Sequence, residues 1–276
     1  MIKADYHIHS SFSSDSQALM EETIEVAISK GLERICFTDH MDLFYPEIEG
    51  GYDFIFDLDN YINKLDILKV KYIDKIKIMT GVELGLQPHM ENELYNLSQS
   101  KSFDFIIGST HVIDNMDPYY PDYWMDKTVN EGIKRYYEAI LHNCKEMAEC
   151  FDVYGHIDYI IRYIPKHMKE SLTQEDYSYE CFKDLVDEIL KTIISKGKGI
   201  EINTSGFKYG LGCPHPEQVI LNRYYELGGE IITIGSDAHI SDHIGYDFGK
   251  AEAILKEIGF KHYTVFMGRK PTFVKL

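Results

Sequence analysis

The sequence predicts an α/β fold with a parallel sheet, and three observations point there. Short runs rich in isoleucine, valine and phenylalanine alternate with longer stretches in which apolar residues recur at helical spacing. Each intervening stretch is long enough for the crossover that parallel neighbours need. No Pro- or Ser-rich linker, low-complexity tract or close internal repeat divides the 276 residues, so residues 1–276 read as one domain. Seven such β/α units suit a (β/α) barrel, with a doubly wound open sheet as the alternative architecture.

The elements follow in order. The run ending at Asp5-Tyr6-His7-Ile8-His9 is a first strand, followed by a polar loop over 10–16 that contains Asp15 and a helix over 20–30 that stops at Gly31. Residues 33–38 form a second strand ending in Asp39-His40. A long loop through Phe44-Tyr45-Pro46 and Gly50-Gly51 leads to a helix over 61–72, and a third strand over 77–82 ends in Glu83. The strand over 104–108 delivers Ser109-Thr110-His111, and an aromatic loop over 114–126 precedes a long helix over 129–149. Residues 153–155 lead to His156. A helix over 179–196 then feeds the strand Gly199–Asn203, residues 230–235 are the seventh strand, and 263–266 read as a short eighth.

Composition excludes several classes. The formal net charge is -17, with acidic residues spread along the chain, so a polyanion such as nucleic acid is repelled while a small anion can still be drawn to a local cation cluster. The 5 cysteines are odd in number and form no CxxC pair, which argues against a disulfide framework and a thiolate metal site. A reducing cytoplasm is the expected location. The N-terminus lacks a signal-peptide apolar region, and no run reaches the ~18 apolar residues of a membrane span.

Chemistry concentrates where apolar runs end. His7 and His9 are an i, i+2 pair, which a strand places on one face, and Asp237 and His239 repeat that spacing near the other end. His40, Glu83, His111 and His156 follow or close the strands between. In a barrel, groups at the C-terminal ends of strands share one rim. Of 12 histidines, His89, His142, His167 and His262 lie in loops or helices and read as structural; His215 and His243 do so too, although their loops belong near the same rim.

The set His7-Ile8-His9, Thr38-Asp39-His40, Gly81-Val82-Glu83, Ser109-Thr110-His111, Gly155-His156-Ile157-Asp158 and Ser236-Asp237-Ala238-His239 resembles the ordered motifs of the PHP (polymerase and histidinol phosphatase) superfamily across almost the whole chain. Glu201-Ile202-Asn203-Thr204-Ser205-Gly206 and residues 235–247 make it most similar to the monofunctional histidinol-phosphate phosphatases. The resemblance implies a distorted TIM-like (β/α)7 barrel of the PHP type holding two to three divalent metal ions. It also implies that His7, His9, Glu83 and Asp237 surround the first ion. Glu83 would bridge to a second held by His111 and His156, and Asp15, His40 and His239 would hold a third. The implied reaction is hydrolysis of L-histidinol phosphate, a step of histidine biosynthesis, with Glu83, Asp237 and His239 carrying catalysis.

Ligand chemistry agrees independently. Six imidazoles and three carboxylates without a thiolate suit zinc, manganese, iron or cobalt rather than calcium or magnesium alone. Three divalent ions, those carboxylates and a bridging hydroxide leave about two positive charges, which matches a phosphate dianion. The expected reaction is in-line attack of the bridging hydroxide on phosphorus in a small phosphomonoester. Arg162 resembles the family's phosphate-contacting arginine, and Lys208 stands near where relatives often carry arginine, so both are expected to bind substrate.

The loops around Phe44-Tyr45 and Tyr119-Trp124 are candidates to cover the site, with Asp42, Glu47 or Asp122 meeting the substrate's ammonium group. Asp39 and Asp158 are expected to orient histidine ligands. Other readings are a PHP phosphoesterase acting on nucleotides, phosphosugars or phosphotyrosine, and a non-catalytic metal-binding protein.

Overall fold

The computed structural model describes residues 1–47, 51–170 and 172–276, so Gly50 of the long loop lies outside the described residues. Strands β1 (Ala4–Ile8), β2 (Arg34–Phe37), β3 (His40–Met41), β4 (Lys77–Gly85), β5 (Phe105–Ser109), β6 (Val153–Tyr154), β7 (Gly199–Asn203) and β8 (Ile232–Gly235) make one parallel sheet. Its order is β1-β2-β4-β5-β6-β7-β8, with the two-residue β3 paired to β4. The first and last strands meet through backbone bonds: Asp237 N donates to the His7 carbonyl and His9 N to the Ala238 carbonyl, both at 2.9 Å. This seam nearly closes a barrel and brings the two ends of the chain to one place.

Burial explains the strand sequences. Every residue of β1, β5, β7 and β8 is buried, because one face fills the barrel and the other lies under helices. Strands covered on both sides have no polar face to alternate. The helices are α1 (Met20–Ser29), α2 (Leu58–Lys71), α3 (Glu91–Gln99), α4 (Val129–Glu146), the short turns α5 (Ile160–Tyr163) and α6 (Lys166–Lys169), α7 (Tyr179–Ser195), the turn α8 (Ser205–Lys208), α9 (Gln218–Glu226) and α10 (Phe248–Ile258). Helix α4 shows the rule: Val129, Ile133, Tyr136, Ile140 and Cys144 are buried on one stripe, and Thr128 with Glu131 forms a capping box at its start.

Several boundaries differ from the sequence reading. The helix expected over 129–149 ends at Glu146, and its tail is a separate 3-10 turn, Ala148–Cys150. Strand β4 continues to Gly85, so Glu83 sits inside it. The strand expected over 263–266 is not part of the barrel wall. It is β9 (His262–Met267), paired antiparallel with β10 (Lys270–Lys275) in a sheet of its own. Gly268 (φ 55°) and Arg269 (φ 59°) turn this hairpin with two positive φ angles, as tight hairpins require. The hairpin caps the barrel end opposite the ligands: the Tyr6 hydroxyl donates to the Phe266 carbonyl at 2.7 Å, and Arg269 Nε donates to Asp152 at 3.0 Å. Among the described residues no helix is long and apolar enough to cross a membrane.

Candidate metal centre and cavity

Glu83 is the hub. Its Oε2 lies 3.2 Å from His7 Nε2, 3.5 Å from His9 Nε2 and 3.0 Å from His40 Nδ1. Its Oε1 lies 3.4 Å from His111 Nε2 and 2.9 Å from His156 Nε2, and accepts a bond from the Ser109 hydroxyl at 2.7 Å. Asp237 Oδ1 stands 3.4 Å from His9 Nε2 and 3.8 Å from His7 Nε2. Asp15 Oδ2 faces His239 Nε2 at 3.1 Å and His40 Nε2 at 3.7 Å. All nine expected ligands therefore converge, although they come from opposite ends of the chain.

The polar atoms in this nest fit a metal better than they fit each other. His7 Nε2, His9 Nε2, His40 Nδ1, His156 Nδ1, Glu83 Oε2 and Asp15 Oδ1 are buried without a hydrogen-bond partner. Left so, each would cost about 1–3 kcal/mol, and concentrating them in one place makes sense only where a cation satisfies them together. Among the described residues, four groups have ligand atoms mutually within 4.8 Å: His7-His9-Asp237, His7-Glu83-His156, His40-Glu83-His111 and His9-His40-His239. The last adds His9 to the pair expected with Asp15.

Electrostatics reinforce this. Burial pushes Glu83 and Asp237 toward neutrality, yet the facing imidazoles hold both well below the ordinary carboxylate range. Burial likewise opposes charge on His40, but Glu83 and Asp15 raise it to about 9. His7 and His111 are raised by Glu201, Glu83 and Asp42 against the same burial, whereas buried His9, beside His239 and His40, is pushed down. The carboxylates thus stay ionised, the form in which they bind a cation.

Neighbouring groups aim the ligands. Glu201 Oε1 lies 2.7 Å from His7 Nδ1, Asp42 Oδ2 lies 2.7 Å from His111 Nδ1, and the Ser13 hydroxyl lies 3.0 Å from His9 Nδ1. Each leaves the other ring nitrogen for a metal. Asp39 does not touch a histidine. It accepts from the Ser10 and Ser13 hydroxyls at 2.9 and 2.8 Å, and so acts one residue removed, because the preceding loop folds over it. Asp158 is a correction too: it pairs with buried His215 at 2.6 Å rather than with a ligand, since the His215 strand bridge to Asn203 brings that ring alongside.

A cavity of about 270 Å³ opens above the nest, walled by Asp15, His40, His111, His156, Asp237 and His239 at its base. Arg162 lines it, with its guanidinium carbon 3.1 Å from the Tyr209 ring centroid and 5.0 Å from that of Tyr163. Lys208 does not line it: its Nζ donates to the Asp237 carbonyl at 3.1 Å. The aromatic loops do reach the cavity, through Tyr45, Tyr52, Phe54, Tyr119 and Tyr120. Of the acids expected to meet an ammonium group, Asp42 lines it while holding His111, but Glu47 and Asp122 line a separate recess. Asp117, also on the cavity wall, accepts from the Tyr45 hydroxyl at 2.5 Å and so ties the two loops together. Its only sequence signal was an acid inside an aromatic loop. Glu201 was visible within its motif, but its role needed the barrel to bring it to His7.

The PHP domain family model matches residues 5–205. The chain is 34% identical to a histidinol-phosphatase of Lactococcus lactis subsp. lactis over 98% of its own length and 96% of the relative's. It is likewise 34% identical to a probable histidinol-phosphatase of Clostridium acetobutylicum, covering 93% and 94%. Its fold superposes with a TM-score of 0.87, over 98% of both chains, on the histidinol phosphate phosphatase of Lactococcus lactis subsp. lactis crystallised with zinc, L-histidinol and phosphate. A putative histidinol phosphatase from Listeria monocytogenes shares the fold at a TM-score of 0.78 and 19% identity, covering 90% of this chain. With its ligand nest, its barrel and relatives that match it end to end, the chain belongs to the PHP domain family, among the histidinol-phosphatases.

Proposed function

We propose that this protein hydrolyses L-histidinol phosphate to L-histidinol and phosphate, a step of histidine biosynthesis, as a metal-dependent phosphomonoesterase. The observation that carries the reading is the convergence of six imidazoles and three carboxylates around Glu83 beneath a cavity that also holds Arg162. The relatives named above, and the zinc, L-histidinol and phosphate bound by one of them, support the substrate.

The nest suits two to three divalent ions from among zinc, manganese, iron and cobalt. His7, His9, Glu83 and Asp237 would hold one, Glu83, His111 and His156 a second, and His40 and His239 with Asp15 a third. Bound there, the ions supply an ionised water and positive charge for the phosphate oxygens. The chain's residues do the rest. Glu83, shared by two of these sets, and Asp237 would face the ions as ionised carboxylates, and His239 and Asp15, partly exposed at the cavity floor, would face the phosphate. Arg162 offers paired N–H donors to phosphate oxygens, and stacking on Tyr209 keeps its plane fixed. Asp117 and the rings of Tyr45, Phe54 and Tyr119 add an acidic aromatic wall suited to a cationic imidazole and amine.

Phosphate release from histidinol phosphate, p-nitrophenyl phosphate, a phosphotyrosine peptide and short DNA, with and without added divalent metal, tests this. The highest kcat/KM belongs to histidinol phosphate and disappears with chelator. Preference for DNA, or no turnover by metal-replete protein, overturns it.

A further inference from the structure

Asp237 is the one residue among the nine expected ligands whose backbone is left-handed, with φ 52°. A side chain in that region is strained, and such a residue persists only where its surroundings hold it. Three contacts hold this peptide. Its N–H donates to the His7 carbonyl at 2.9 Å, and its carbonyl accepts from Lys208 Nζ at 3.1 Å and faces His239 Nδ1 at 3.2 Å. Lys208 ends α8, the turn that leaves β7, and α8 is itself pinned where Ser205 N donates to the Asn203 side chain at 2.9 Å. Its ammonium is therefore aimed from a fixed base at a peptide oxygen, while Arg162 occupies the cavity wall.

Sharing one carbonyl has a chemical consequence. If the Asp237 carbonyl accepts the proton of His239 Nδ1, then Nε2 of His239 keeps its lone pair, and that nitrogen is the one 3.1 Å from Asp15. Fixing the carbonyl thus aims two ligands, the carboxylate of Asp237 and the imidazole of His239.

We propose that Lys208 is a positioning residue of the metal centre, holding the Asp237 carbonyl so that Asp237 and His239 keep their ligand atoms turned inward, rather than a direct phosphate contact. The proposal rests on reading this nest as a metal site. One donor meeting one carbonyl does not use a guanidinium fork, so arginine at this position is expected to serve nearly as well.

The test compares Lys208→Met and Lys208→Arg with the unaltered protein, all loaded with zinc. Metal content after dialysis against a chelator is measured by elemental analysis, and kcat and KM with histidinol phosphate are measured separately. Loss of a partner that orients ligands costs about 10–100-fold in metal affinity or activity. Lys208→Met is therefore expected to release zinc at about tenfold lower chelator and to lose about tenfold in kcat, with KM within about twofold. Lys208→Arg restores both. A Lys208→Met protein that retains zinc normally overturns the proposal, and a tenfold rise in KM at unchanged kcat assigns Lys208 to the phosphate instead. If the methionine variant does not fold, Lys208→Gln is read in the same way. Zinc retention needs no substrate, so it judges Lys208 even if histidinol phosphate proves not to be hydrolysed.

Discussion

His7 Nδ1 and Glu201 Oε1 lie 2.7 Å apart with both side chains buried, and this contact joins β1 to β7 across the barrel. The other oxygen of Glu201 accepts from His156 N at 3.1 Å and Asn203 Nδ2 at 3.2 Å. A single carboxylate thus orients one ligand and fixes the backbone of another. Glu201→Gln keeps the size but loses the charge that raises the basicity of His7. The expected result is about a 10–100-fold loss of activity or metal affinity with the circular dichroism spectrum unchanged. Activity within twofold of the unaltered protein would show that His7 needs no such partner.

Gly235 leaves room for that pair. A Cβ there would lie 2.2 Å from Glu201 Oε1 and 2.3 Å from His7 Cβ, neither of which can retreat within the barrel. Gly235→Ala should lower stability by about 1–3 kcal/mol in urea unfolding and weaken zinc binding. Gly249, in α10, meets nothing within 4 Å, so Gly249→Ala should be neutral or stabilising by up to about 1 kcal/mol. Equal effects at the two positions would contradict the packing argument.

Arg162 presents a planar fork to the cavity. Arg162→Ala is expected to reduce kcat/KM for histidinol phosphate by about 100-fold, the scale of a lost charge-assisted pair of hydrogen bonds. Arg162→Lys should recover only part, because an ammonium lacks the fork and stacks less well on Tyr209. Steady-state kinetics decide it, and full recovery with lysine would show that charge alone matters.

Away from the centre, Asp187 on α7 receives Arg223 of α9 through two bonds, at 2.8 and 2.6 Å. That guanidinium, helped by the Tyr179 hydroxyl, holds the carboxyl below its ordinary range against partial burial. A depressed carboxylate contributes stability that is full above its unfolded value and is lost as pH falls through its folded one. Asp187→Asn should therefore cost about 1.5–3 kcal/mol from pH 7 down to pH 5, and the difference should narrow below about pH 4. Urea unfolding across that range checks it; a difference that grows on acidification has the wrong sign.

The fold, and the meeting of the expected ligands at one rim, were legible in the sequence for one physical reason. Parallel barrel strands are buried on both faces, so they read as unbroken apolar runs, and their C-terminal ends mark the rim where His7, His40, His111 and His156 stand. What escaped depends on long-range closure. Nothing local ties Glu201 to His7 or Asp42 to His111, and nothing in 263–266 shows that this strand pairs with Lys270–Lys275 instead of the barrel. Lys208 was placed at the phosphate by resemblance alone, and nothing local shows that its ammonium meets the Asp237 carbonyl. Asp158 beside His156 was misread for a related reason: neighbours in sequence point apart where the chain leaves a strand, and its partner is His215, far along the chain.

The most direct test of the central claim is anomalous X-ray scattering at the metal edge from crystals grown with divalent metal and phosphate. Two to three peaks are expected within coordination distance of Glu83 and the histidines around it, with phosphate between them and Arg162. Peaks elsewhere, or none at Glu83 in protein that elemental analysis shows to be metal-loaded, would contradict it.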